Sequence, residues 1–253
     1  MNKKIFFLLL FGVVASVQLR AQKAQAVQAR RIDTVAVAIL DKMSAMIGDL
    51  GSCSVTVKSN YDVTSKELGL IKHSDEEHLY LHGPDKLLLK SEGDRGGRDL
   101  YFDGKTLSYY SLDRNQYGQI EAPASLVEMI DTVSRRYGIE FPAADFLYPT
   151  FVDDILADSK ELVYLGLTTI DGKECYHIAG MGTDKSFQFW VSDDAFTLPI
   201  KMVIVYTTKP MNPQYEAVLS DWQVNPTLPD AMFDFSIPLK AKKVKLVPLT
   251  AKN

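Results

Sequence analysis

Four histidines and two cysteines are the side chains here best suited to metal or nucleophile chemistry. His78 and His82 stand four apart, the spacing at which a helix offers two imidazoles to one zinc ion. The segment His78-Leu79-Tyr80-Leu81-His82 alternates polar and apolar residues, however, and reads as a strand. Four residues of strand separate side chains by about 13 Å, too far to share a metal. His73, Asp75, Glu76 and Glu77 add polar groups without ligand spacing, and a solvated strand edge accounts for them. Cys175 and His177 lie two apart on another apparent strand. They share a face at about 6–7 Å between Cα atoms and point in parallel. A Cys–His nucleophile pair needs hydrogen-bond reach and a third, orienting group. Asp153-Asp154 and Asp193-Asp194 are adjacent carboxylates; on a strand such neighbours face opposite ways, so they read as turn and cap residues. No Gly-x-Ser-x-Gly elbow is present, and Gly93 to Gly97 lies between strands, not before a helix. The expectation is no catalytic residue, no metal and no cofactor.

The elements that carry these residues are mostly strands. Asp33 is placed to cap a helix of about five turns whose apolar face is Ile39, Met43, Met46, Ile47 and Leu50, ended by Gly48 or Gly51. After Gly51 the period changes to two. Cys53, Val55 and Val57 alternate with Ser54, Thr56 and Lys58. Further strands are expected at 65–72, 78–82, 86–91, 99–102, 105–111 and 117–121. Gly83-Pro84-Asp85 marks a turn and Asp103-Gly104 a type I′ hairpin. Ser125-Leu126-Val127-Glu128 is a capping box, and Leu126, Met129, Ile130, Val133 and Tyr137 form one apolar helical face up to Gly138. Two shorter helices are expected at 142–148 and 150–156, so a helical insert of about 122–158 interrupts the strands. Strands return at 162–170, 175–180, 186–191, 199–207 and 215–224, with Asp171-Gly172 as another hairpin turn, and 232–237 closes the set. The simplest packing is mainly β (α+β): one strongly curved antiparallel sheet with helices against its concave face.

Met1-Asn2-Lys3-Lys4, the apolar run Ile5–Val17 and the small-residue stretch beyond it form a secretory leader over residues 1–21, with a cut between 21 and 26. No cysteine ends the apolar run, so the exported chain is expected without a lipid anchor and without a transmembrane span. The formal charge is −4, and a leader that takes Lys3, Lys4 and Arg20 with it leaves −7. That balance argues against a nucleic-acid partner. Residues 33–238 are read as one curved-sheet domain. Residues 239–253, with Lys240, Lys242, Lys243, Lys245 and Lys252, are read as a solvated basic tail. Whether Cys53 and Cys175 pair stays open.

Apolar side chains recur on alternating strand positions in excess of what charged chemistry would need. On the first strands these are Leu79, Leu81, Leu87, Leu89, Phe102 and Tyr109. On the later ones they are Phe187, Phe189, Met202 and Ile204. Met43, Met46, Met129, Ile130 and Val133 lie on helix faces that could cover them. An open sheet plugged by helices leaves a hollow, and these residues are the candidates to line it.

Three stretches carry a family resemblance: Asp103-Gly104-Lys105-Thr106-Leu107 with Asp113-Arg114-Asn115-Gln116-Tyr117; Asp171-Gly172-Lys173-Glu174-Cys175-Tyr176-His177; and Leu198-Pro199-Ile200-Lys201 followed by Pro213-Gln214-Tyr215 and Leu219-Ser220-Asp221-Trp222. Over roughly 33–238 the chain resembles the predicted periplasmic proteins of domain-of-unknown-function family 2092. That family is similar in fold to the periplasmic lipoprotein carrier and outer-membrane receptor proteins. The resemblance implies an incomplete, strongly curved β-barrel with helices plugging an apolar cavity that shields acyl chains. The motifs do not place the carrier's cavity arginine; Lys58 is the nearest by position. The expected function is an exported periplasmic protein, not an enzyme. It would hold a lipid or other hydrophobic small molecule between sheet and helical lid, with the helix 125–138 moving to admit it. Two alternatives stay open: an envelope structural or interaction protein with a filled core that binds a protein partner, and a hydrolase using Cys175 and His177.

Overall fold

The computed structural model describes residues 30–141 and 143–249. The expected leader therefore lies outside the described residues, as do 250–253. The strands form a single open sheet in the order β1-β8-β9-β10-β11-β12-β2-β3-β4-β5-β6-β7-β13. Their ranges are β1 Arg31–Ile32, β2 Ser52–Ser65, β3 Gly69–His82, β4 Lys86–Gly93, β5 Arg98–Phe102, β6 Thr106–Ser111 and β7 Gln116–Glu121. The second half adds β8 Glu161–Ile170, β9 Lys173–Met181, β10 Ser186–Ser192, β11 Pro199–Val205, β12 Gln214–Val224 and β13 Lys242–Lys243. All pairings are antiparallel except the two short outer ones, β1 with β8 and β13 with β7. The sheet is curved and does not close, in agreement with the curved sheet expected from packing and the incomplete barrel implied by the resemblance.

Period-two patterning decides which face is buried. Val57 pairs with Glu77 and Leu219, Leu79 with Leu89, and Leu100 with Tyr109, all on the inward face. Leu89, Leu100, Phe102 and Leu107 are fully buried there. At about 25 cal/mol per Å² of apolar surface, this row and the helices laid on it supply the main driving force.

Three helices and a 3-10 turn cover that face. Helix α1 (Thr34–Gly48) is about four turns long, not five, because Asp49 already leaves the helix as its C-cap. Asp33 caps it: its Oδ1 accepts the Val35 N–H at 2.8 Å and its Oδ2 accepts that of Tyr164 at 3.3 Å. These two N–H groups hold its carboxyl below the usual range and tie α1 to β8. Helix α2 (Leu126–Tyr137) starts where the capping box predicted. Ser125 Oγ accepts the Glu128 N–H at 3.2 Å, and Gly138 ends it in the left-handed region at φ 66°. A 3-10 turn at Ala144–Leu147 and helix α3 (Phe151–Asp158) follow.

Several expectations are corrected. The strands expected at 65–72 and 78–82 are one continuous strand, β3. Asp75-Glu76-Glu77 breaks the apolar pattern but not the pairing, since Glu76 sits opposite Lys58 and binds it at 3.3 Å. The Asp103-Gly104 turn is not type I′. Three residues join β5 to β6, and Gly104 alone has positive φ (92°). Asp103 Oδ1 instead takes the N–H groups of Lys105 and Thr106 at 2.9 and 2.7 Å, which stabilises the longer loop. Asp171 (φ 48°) and Gly172 (φ 81°) do make the two-residue turn with both residues left-handed.

The segment 232–237 is not a strand, and the basic tail is not a free end over its described part. Residues 230–249 form a strap. Asp230 binds Lys86 at 2.7 Å, Phe233 is buried beside His82, and the Phe235 ring lies 5.4 Å from both Tyr101 and Tyr117. Those tyrosines are on the outer face, so Phe233 and Phe235 bury their apolar surface against the sheet's back and not in a ladder. The chain then rounds the β7 edge. Lys242 N–H donates to Asn115 O at 3.0 Å and Val244 N–H to Tyr117 O at 2.8 Å. Leu246 packs where a Cβ on Gly118 would come within 2.5 Å of its Cγ, and Leu249 N–H donates to Arg136 O at the end of α2. Backbone pairing at an otherwise bare edge is what orders a lysine-rich segment. Truncation after Pro238 is expected to cost about 1–2 kcal/mol of stability, read as a lower thermal midpoint, from lost apolar burial alone. An unchanged midpoint would show that the strap contributes nothing to the edge.

Candidate functional site

The two halves of the inward face are filled differently. Over β3–β7, Leu79, Leu81, Leu87, Leu89 and Phe102 meet Met129, Ile130 and Val133 of α2, all within one buried cluster, with Tyr109 partly buried against it. Helix α2 is tethered at both ends, by Leu126 N–H to Pro84 O at 2.9 Å and by the strap at Arg136 O. On the other half Met43 is fully buried and Met46 partly so, on α1, which packs on β8, α3 and the 3-10 turn.

A cavity of about 350 Å³ lies between α3, the 3-10 turn and the inward face of β10 and β11. Its wall is Phe146, Phe151, Ile155, Phe187, Phe189, Met202 and Ile204. The phenyl rings stand in mutual edge or tilted contact, with centroids 5.2–5.9 Å apart, so the wall is rigid and apolar. Cross-strand pairing places Phe187 opposite Ile204, and Phe189 opposite Met202. Behind Phe187 is Gly180, where a Cβ would come 2.2 Å from the ring's Cζ; the missing side chain is what lets the ring lie flat on the sheet.

The polar lining is Asp131, Asp145, Tyr148, Asp154, Asp158 and Lys185. Tyr148 O–H donates to Asp131 Oδ1 at 2.7 Å, and Thr150 O–H to Asp154 Oδ2 at 2.8 Å. Burial, with Asp131 adding to it, raises the Tyr148 phenol, so it stays a neutral donor. Asp158 Oδ1 accepts the Thr183 N–H at 3.2 Å.

Of the fifteen side chains singled out in the sequence, the structure brings Phe187, Phe189, Met202 and Ile204 to this cavity. Of the other eleven, nine belong to the buried core cluster, and Met46 and Tyr109 pack against it partly buried. Phe146, Phe151, Ile155 and the polar lining were not among those fifteen; Asp154 was read from the sequence only as a turn or cap residue. The helical insert was the signal for them, but no periodicity tells which turn of a helix faces a void. Lys58 points to the outer face and binds Glu76; on the inward face Arg98 lies 3.2 Å from the buried carboxylate of Glu77.

The other polar candidates are dispersed. His73 meets Asp94 at 3.0 Å, His78 Nδ1 lies 3.2 Å from Thr56 Oγ1, and His82 lies 3.5 Å from Asp230. Cys53 and Cys175 are both buried free thiols, and burial raises both, Cys53 to about 11. His177 stacks on Trp190 at 4.3 Å between centroids and bonds Gln188 at 3.0 Å, while the Cys175 thiol donates to Lys173 O at 3.5 Å. Cys175 and His177 are therefore each engaged elsewhere. No helix among the described residues is long and apolar enough to cross a membrane.

A family model described as "predicted periplasmic protein (DUF2092)" matches residues 36–247. No curated protein matches. Among solved structures, the chain is similar to an uncharacterized conserved protein from Thermus thermophilus, at 12% identity and a TM-score of 0.49, covering 83% of this chain and 99% of that one. It is also similar to the Mycobacterium tuberculosis lipoprotein LppX, at 15% identity and 0.46, covering 78% and 99%. A LolA superfamily protein from Nitrosomonas europaea matches at 14% identity and 0.39, covering 79% and 97%.

Proposed function

We propose a binding role from one premise: the chain belongs to the family of predicted periplasmic proteins DUF2092. The protein holds the apolar part of a lipid or other hydrophobic small molecule in the cavity beneath α3 and the 3-10 turn, and performs no bond chemistry on it. The observation that carries this reading is the aromatic-walled cavity of about 350 Å³, at the small end of the range for ligand pockets. Each methylene that enters contributes about 0.8 kcal/mol. Entry on this reading is past α3 and the 3-10 turn; α2, pinned at both ends and filled by its own core, is not the lid. Export by the leader at 1–21, cleavage between 21 and 26, an unanchored mature chain and a single unit over 33–238 belong to the same proposal.

Native mass spectrometry of protein purified from the periplasm, followed by organic extraction, tests it. The expected result is a co-purifying apolar ligand that is lost in Ile204→Trp, whose indole fills the cavity from β11. A clean apo mass, with no uptake of an added apolar probe, would overturn the reading and favour a filled-core protein that binds an envelope partner.

A further inference from the structure

The cavity's wall is apolar, but its charged lining is mostly anionic. Asp131, Asp145 and Asp154 are exposed there, and Asp158 lies deeper. Lys185 is the one cation among the residues that line it. Asp131 and Asp154 are each held by a hydroxyl donor, from Tyr148 and Thr150, which fixes their position and leaves their charge in place. Asp158 differs. Its Oδ1 takes the Thr183 N–H, while its Oδ2 is shut off from solvent and meets no hydrogen-bond donor among the described residues. That oxygen packs against Gly182, where a Cβ would come within 2.2 Å of it, so it faces the Gly182 backbone away from solvent and a ligand head meets the exposed carboxylates instead.

An amphiphile that puts its chain in the cavity must leave its head among these groups. A carboxylate or phosphate head would find one lysine and three exposed carboxylates that repel it, while an ammonium head would find three attractive carboxylates and one repelling lysine. We infer that the cavity takes an apolar chain ended by a cationic amine head and disfavours the same chain ended by an anion. This rests on the cavity reading proposed above and names the chemical class of its ligand.

Three probes that share one chain separate the two readings: decylammonium, decanoate and 1-decanoylglycerol. Each is titrated calorimetrically, below its micelle threshold and at low ionic strength, into the purified protein. The cation is expected to bind at least tenfold tighter than decanoate. That gap should narrow at least threefold in Asp154→Asn, an exposed position whose amide oxygen can still accept the Thr150 hydroxyl, and again in the Asp145→Asn/Asp154→Asn double variant, with the far-ultraviolet spectrum of each variant checked as native. Added salt should narrow it too, since exposed charges are screened. Decanoate binding as tightly as the cation, or a preference unchanged in the double variant, would overturn the inference while leaving the cavity reading standing, provided 1-decanoylglycerol binds. Failure of all three probes would overturn both.

Discussion

Arg98→Ala is expected to destabilise the protein by about 3–5 kcal/mol at pH 8, a loss on the order of 10 °C in thermal midpoint. Its partner, Glu77, sits on the inward face of β3 at 3% exposure, and Arg98 is the guanidinium that reaches it at 3.2 Å. Burial pushes the Glu77 carboxyl from 4.5 up to about 7, against the pull of Arg98. The sign of the pH dependence follows. Between pH 4.5 and 7 the unfolded chain loses this proton first, so it binds fewer protons than the folded chain and stability falls as pH rises. The fall is about 3 kcal/mol across that window. Glu77→Gln removes it and should flatten the stability profile between pH 4.5 and 7. Arg98→Ala should do most harm above pH 7, where Glu77 is charged and then unpaired, and least near pH 4.5. Thermal unfolding followed by circular dichroism at pH 5 and 8 checks both variants; an Arg98→Ala penalty equal at the two values would mean that Glu77 is not the group responsible.

Gly180→Val is expected to lower uptake of an apolar probe at least tenfold without unfolding the sheet. Gly180 faces Phe187 across β9 and β10, and a Cβ there would lie 2.2 and 2.4 Å from the ring's Cζ and Cε2. The ring tip is the movable partner in that clash. Its open direction is the cavity, so a valine pushes Phe187 into the space a ligand would use. The φ of Gly180 is not in the left-handed region, so the backbone tolerates the change, and β-branching suits a strand. Equilibrium binding of the probe together with the far-ultraviolet spectrum decides it. Undiminished uptake with a native spectrum would place the binding site away from Phe187.

Much of the architecture was legible from local patterns. Alternation marked the inward residues of β2, β4 and β5, and the Ser125 cap and Gly138 bounded α2, because such signals depend only on neighbours in the chain. Where the pattern turned polar, at Asp75-Glu76-Glu77, it hid a strand whose pairing with Lys58 is a cross-strand matter. The strap was illegible for a related reason. Lys242 and Val244 are ordered by carbonyl groups of Asn115 and Tyr117, more than a hundred residues away.

The candidate site divides along the same line. Composition and periodicity by themselves determined that Phe187, Phe189, Met202 and Ile204 share the inward face with the residues of α1 and α2. Every one of those side chains was equally apolar, and nothing local distinguished a filler from a wall. Tertiary structure decided that the helices fill the β3–β7 half and leave a void under α3. A void is the difference between the space enclosed by elements distant in sequence and the volume of the side chains that enter it. The charge at its mouth was decided there too, because Asp131, Asp145, Asp154 and Asp158 become neighbours of Lys185 only when the helical insert lies across β10 and β11.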